Sequence, residues 1–160
     1  MIIPTPPRAT PPAKIVGRGT QTWAEADSSC ESITASSPID LQSTRVEVGQ
    51  IPSYPGTTAR VTMAYSGQPP SDETVLWSLL ASNASHKTVQ LGYKTLNGEK
   101  IAHFWYVWGE GMQHNMSWLV NDRIPGKVVL YMPHQALVEL GDQWSWSSVL
   151  NIDGMDVDSC

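Results

Sequence analysis

The segment 88–108, TVQLGYKTLNGEKIAHFWYVW, constrains the fold more than any other, because two β-prone runs flank Asn97-Gly98. Asn-Gly is preferred in two-residue type I′ hairpin turns, where both positions adopt positive φ. A regular hairpin closed there pairs Leu96 with Glu99 and fixes every later pair. This register predicts one wholly apolar face, which we expect in the core: Val89, Leu91, Tyr93, Ala102, Phe104 and Tyr106.

The other face of this hairpin is mixed in the same register. Gln90 lies opposite Trp105, and Gly92 lies opposite His103. We expect this face either to contact water or to be covered by something partly polar. The second strand is apolar on both sides for most of its length, which favours a central strand over an edge strand.

Short strand-like segments separated by Gly and Pro account for most of the remaining chain. They predict an all-β fold, an antiparallel β-sandwich or barrel with jelly-roll-like character. The leucines of segment 73–81 would also suit a short helix, but its alternation favours a strand. The predicted strands outside the hairpin are 38–48 (one or two strands), 58–66, 73–81, 116–120, 127–132, 136–140 and 143–150.

Three regions are predicted along the chain. Residues 1–18 are rich in proline and contain no acidic residue, so we expect an extended linker to a preceding domain, or else a tail without a role. Residues 19–152 form the β-sandwich domain. Residues 153–160 are predicted as a frayed, acidic C-terminal tail.

Composition excludes several classes of partner. The net charge is −5 and the predicted domain has no Lys/Arg cluster, which argues against nucleic-acid binding. No apolar run approaches the roughly 20 residues of a membrane-spanning helix, so no membrane insertion is expected. The two cysteines make neither a disulfide framework nor a zinc site, and the terminal position of Cys160 favours a free thiol over a bridge to Cys30.

Catalytic motifs are absent from the sequence, and its four histidines lack metal-ligand spacing. We therefore expect no enzyme, no metal and no cofactor. A hydrolase using a Ser-His-Asp triad through His103 or His134 is the least favoured alternative, because triads are defined by geometry rather than by sequence.

Tryptophan provides the stronger functional signal, with seven Trp against one Phe. Trp144 and Trp146 lie on one face of the last predicted strand, where they could form a platform for a sugar ring or a partner side chain. In a chain with one Phe, tryptophans also have to fill the core. Asn83 and Asn115 begin N-x-[ST] sequons and are candidate glycosylation sites, although glycosylation requires a secretory route.

The layout of residues 91–146 resembles the protruding domain of calicivirus-type capsid proteins. In that family a strand, a glycine-containing turn and a second strand (here LGYKTLNGEKIAHFW) precede a further strand, a polar loop and a terminal strand (here HQALVELGDQWSWSSV). The Pro-rich start is similar to the hinge of such spikes. The chain would hold only the compact base, so no receptor-binding residue is carried over, and projection domains of other small RNA viruses fit equally well.

The resemblance implies a non-enzymatic module on the virion surface that associates as a dimer or trimer and meets a host glycan or protein receptor. The candidate interface residues are Gln90, His103, Trp105, Trp144 and Trp146. The main alternative is a secreted, extracellular carbohydrate-binding module that uses exposed tryptophans.

Overall fold

The computed structural model describes residues 24–29, 31–32, 37–117 and 124–160. The predicted linker 1–18, Trp23, Cys30, and Trp118 with most of the predicted strand 116–120 lie outside these ranges. In chain order the elements are β1 (Ala24–Ser29), β2 (Glu31–Ser32), β3 (Ile39–Gln50), β4 (Thr57–Gly67), β5 (Thr74–Asn83), β6 (Thr88–Leu96), β7 (Glu99–Val107), β8 (Gln113–Asn115), β9 (Lys127–Met132), α1 (His134–Leu140), β10 (Trp144–Ile152) and β11 (Met155–Ser159).

Two antiparallel sheets pack against each other, which confirms the predicted all-β sandwich. The four-stranded sheet has the order β1-β3-β4-β9, and the seven-stranded sheet has the order β2-β11-β10-β5-β6-β7-β8. Alternate side chains of the long strands β3–β7 and β10 point between the sheets and form one core, as expected for sandwiches. Its fully buried members from both sheets include Ile39, Val46, Val61, Met63, Leu79, Leu91, Leu130 and Leu150.

The central hairpin forms, but its register changes after the second pair beyond the turn. Leu96 pairs with Glu99 and Thr95 with Lys100, as predicted; Lys94 then pairs with Ala102 because a β-bulge leaves Ile101 unmatched. One extra residue turns every later side chain of β7 to the opposite face. The predicted faces of β7 are therefore wrong beyond Ile101.

The segment 136–140 was predicted as a strand and is instead the main part of α1. Ala136, Leu137 and Leu140 are buried, a spacing that puts them on one side of a helix, whereas Val138 is exposed. Pro133 is the N-cap residue, and Gly141 ends the helix with a positive φ and donates its N–H to the carbonyl of Leu137.

The C-terminus was predicted as a frayed tail, and this is wrong for its last residues. Met155–Ser159 form β11, which pairs with β10 and with β2. Asp158 and Cys160 are buried, and Cys160 is disulfide-bonded. The acidic residues of this segment do not prevent it from pairing with the long neighbouring strand β10.

Candidate functional site

Four of the five predicted interface residues lie in the interior. His103 and Trp105 were expected on the mixed face of the hairpin, but the bulge turns both toward the core, where their exposed fractions are 2% and 7%. Trp144 and Trp146 point inward from β10 and are 4% and 3% exposed. The two tryptophans of β10 therefore cannot serve as a surface platform.

Gln90 is the one predicted interface residue that keeps its place on the outer side. Its Nε2 donates to Ser78 Oγ at 2.9 Å, and its Oε1 accepts from Trp108 Nε1 at 3.3 Å. Both ends of the amide are thus satisfied within the chain, so covering Gln90 would leave none of its groups without a hydrogen bond.

The surroundings of Gln90 form an apolar surface, which we call the outer sheet face. It crosses the four central strands of the seven-stranded sheet, where cross-strand partners lie side by side. Phe104 packs directly over Gly92, so closely that a Cβ on Gly92 would clash with its ring. The apolar side chains of the outer sheet face are Leu76, Leu80, Phe104, Tyr106 and Val149, with the exposed Trp108 at its margin.

The opposite surface of the sandwich carries more charged side chains, and Val129 and Tyr131 lie on it as well. On the outside of the four-stranded sheet, the Arg60 guanidinium donates to both carboxylate oxygens of Glu47 at 3.1 Å, and Arg45 lies 3.9 Å from the same carboxylate. Thr62 lies on this side as well. An antiparallel sheet that faces water normally alternates apolar and polar side chains, and this sheet does so. The outer sheet face also carries polar side chains, including Ser78, Ser147 and Gln90, but it holds five larger apolar side chains among them, which makes it a candidate contact surface.

A second candidate surface is a cleft of about 460 Å³ where the edge of the seven-stranded sheet meets the start of α1. We call it the edge cleft. His114 of β8 stacks on Trp105 with ring centroids 3.9 Å apart and planes 10° apart. The residues that line the edge cleft are Trp105, His114, Asn115, Met116, Ser117, Pro133 and Gln135.

The two sequons differ in how firmly their asparagines are held. Asn83 Nδ2 donates to the carbonyl of Leu140, and Asn83 Oδ1 accepts from the backbone N–H of Ser85 and of Lys87. A glycan attached to this nitrogen would disturb its hydrogen bond to Leu140 and the turn 83–87. Asn115 is exposed on the edge strand, and its Oδ1 accepts from Gln113 Nε2 at 2.7 Å. Of the two candidates, Asn115 is the sterically accessible one.

One buried carboxyl group joins the two sheets. Asp158 Oδ2 accepts the backbone N–H of Leu41 on the other sheet at 2.7 Å, and Oδ1 accepts the N–H of Ser159 at 3.0 Å. Burial, opposed by these hydrogen bonds and reinforced by the carboxyl of Asp40, raises the pKa of Asp158 to about 7.

Sequence reasoning missed the edge cleft and much of the outer sheet face. The alternation of β7 contained both Phe104 with Tyr106 and His103 with Trp105, but only a bulge decides which pair faces out. His114 and Gln135 gave no sequence signal, because they come together only through tertiary packing. Within the described ranges, no group of three His, Cys, Asp or Glu side chains could hold a metal ion, and no helix is long and apolar enough to cross a membrane.

These features define an all-β sandwich with one apolar sheet face and one aromatic-walled cleft. The chain matches no protein-family model, no curated protein and no solved structure.

Proposed function

We propose that the chain is a non-enzymatic surface module of a viral capsid, a projection domain whose copies associate with one another and meet a host attachment factor. The observation that carries the association is the outer sheet face. Five larger apolar side chains lie on the outer sheet face, whereas Arg45, Glu47 and Arg60 lie on the outside of the other sheet, so we expect a partner to cover the outer sheet face.

A second copy of the chain suits this face. Leu76, Leu80, Phe104, Tyr106 and Val149 form an apolar centre. Lys94, Asn151 and Ser145 supply polar groups around it, which is the usual anatomy of a protein interface. A flat antiparallel surface can meet its own copy across a two-fold axis, so that each side chain is used twice.

The polar group at the centre does not oppose such burial. Gln90 has satisfied its amide through Ser78 and Trp108, so removing water from it costs little. The polar face of the other sheet, with its Arg60–Glu47 pair, stays in water. The candidate interface of the sequence prediction thus keeps Gln90 and gains Phe104 and Tyr106 in place of His103 and Trp105.

Light scattering on the purified chain, together with a matched pair of variants, tests the association. Leu80→Glu puts a carboxylate at the centre of the outer sheet face, and Thr62→Glu puts one on the polar face of the other sheet. We expect a dimer or trimer for the wild type and for Thr62→Glu. For Leu80→Glu we expect dissociation to be favoured by about 100-fold, or about 3 kcal/mol, because an unpaired charge would be buried. A wild type that stays monomeric at high concentration, or an equal response of the two variants, contradicts the proposal.

A further inference from the structure

We propose that the edge cleft binds a neutral, hydroxyl-rich ligand, a sugar unit of a glycan. This ligand class rests on the attachment role proposed above, but the cleft is a different surface from the outer sheet face, so the two can be tested separately. A cleft of about 460 Å³ lies within the size range of small-molecule binding sites.

The aromatic wall of the cleft is rigid. His114 is half-buried and stacks in parallel on Trp105, which is itself part of the core. The ring planes are therefore fixed before any ligand arrives. The apolar C–H face of a sugar ring packs well against a flat aromatic surface, and a surface already in place loses no conformational entropy on binding.

Besides His114, the described residues that line the cleft contribute amide and hydroxyl groups as side-chain polar groups. Gln135 offers an amide that both donates and accepts, and Ser117 offers a hydroxyl. Sugar hydroxyls also donate and accept, so they match this set. No Asp, Glu, Lys or Arg side chain is among the described residues that line the cleft, so a charged ligand would lose its hydration there without gaining a counter-charge.

The two sides of the cleft are held by separate elements. On one side β8 pairs with β7, and the N–H of Met116 donates to the carbonyl of His103 at 2.7 Å. On the other side the carbonyl of Pro133 accepts the N–H groups of Ala136 and Leu137 at the start of α1. The distance between the aromatic wall and Gln135 is thus set by the fold.

The test is a two-dimensional NMR titration that follows the indole N–H of Trp105. The probes are methyl glycosides of galactose, mannose and fucose, N-acetylglucosamine, lactose and, as an anionic comparison, sialyllactose. We expect at least one neutral sugar to shift this resonance in the millimolar range. Gln135→Ala should weaken binding about five-fold, as expected for the loss of one hydrogen bond. Gln50→Ala, which removes an exposed glutamine from β3 of the four-stranded sheet, should leave it unchanged.

His114→Ala provides a second variant, since it removes the stacking wall and should abolish the shift. The proposal is overturned if no neutral sugar shifts the Trp105 resonance, if Gln135→Ala and His114→Ala both bind like the wild type, or if sialyllactose binds and lactose does not. Light scattering on the same samples separates the two proposals. An assembled chain that binds no sugar refutes the ligand alone, and a monomer that binds sugar refutes the association alone.

Discussion

At the scale of single residues, Asp158 gives the chain a property that can be measured directly, the pH dependence of its stability. Its carboxyl is buried, bonds the N–H of Leu41 across the sandwich, and lies beside the carboxyl of Asp40. Burial disfavours the charged form of Asp158 and the neighbouring carboxyl of Asp40 adds to this, so Asp158 keeps its proton up to a pH of about 7.

The raised pKa of Asp158 predicts an unusual dependence of stability on pH. In the unfolded chain an aspartate releases its proton near a pKa of about 3.9, whereas the pKa of folded Asp158 is about 7. Between these values the folded state binds more protons, so the free energy of unfolding falls as the pH rises from about 4 to about 7. Urea unfolding at several pH values measures the slope.

Asp158→Asn provides the control for this prediction, because its amide cannot titrate but can still accept the N–H of Leu41. We expect the variant to lose the part of the slope between about pH 4 and pH 7. If the wild type and Asp158→Asn show the same slope in this range, the buried proton is not on Asp158.

At the scale of elements, the central hairpin shows why the sequence predicted the strands but not their faces. Asn97-Gly98 dictates the turn, and the first two pairs have the predicted register. The core, however, takes His103, Trp105 and Val107 from β7, which are one residue out of phase with that turn. The bulge at Ile101 reconciles the two requirements, and no local pattern announces it.

Deleting Ile101 tests this explanation. The side chain is 53% exposed and has no partner in the ladder, so a chain without it can close a regular hairpin with the same residues in the core. We expect a folded protein whose melting temperature changes by only a few degrees, measured by circular dichroism. Deletion of Ala102 instead lets Ile101 pair with Lys94 and also keeps His103 opposite Tyr93, so we expect a similar melting temperature for this second variant. If both deletions unfold the chain, the bulge has a role beyond correcting the register.

The helix α1 marks the other limit of sequence reasoning at this scale. The run ALVEL alternates as a strand does, yet it also places Ala136, Leu137 and Leu140 on one side of a helix. Five residues cannot distinguish the two periods. The deciding features lie outside the run, in Pro133 before it and Gly141 after it. In the longer segments 58–66 and 127–132 the strand period is clear. Both are predicted as strands, and both are strands in the structure.

At the scale of the whole molecule, the C-terminal residue is part of the core. Cys160 is fully buried and disulfide-bonded, its N–H donates to the carbonyl of Ser148, and its carbonyl accepts the N–H of Ser148. The other cysteine of the sequence, Cys30, lies outside the described residues. Sequence reasoning favoured a free thiol because terminal residues usually fray, and it could not foresee that β11 would pair with β10.

We expect Cys160→Ser to lower the free energy of unfolding by about 2–5 kcal/mol, the usual cost of losing a native disulfide. Guanidinium unfolding with and without a thiol reductant measures the effect. Reductant should lower the midpoint of the wild type and leave that of Cys160→Ser where it is. An unchanged wild type under reducing conditions would show that the strand pairing of β11 is sufficient to hold this end of the chain.

The order of strands within each sheet has a consequence for synthesis on the ribosome. The meander β5-β6-β7 is local and can pair as it emerges, but β4 needs β9 and β5 needs β10, and both partners are made late. The four-stranded sheet is not complete until β9 has left the exit tunnel, and the seven-stranded sheet not until β10 and β11 have left it. Until then the meander presents two apolar faces rather than one, and it is during this interval that the nascent chain is most exposed to wrong pairing with its neighbours.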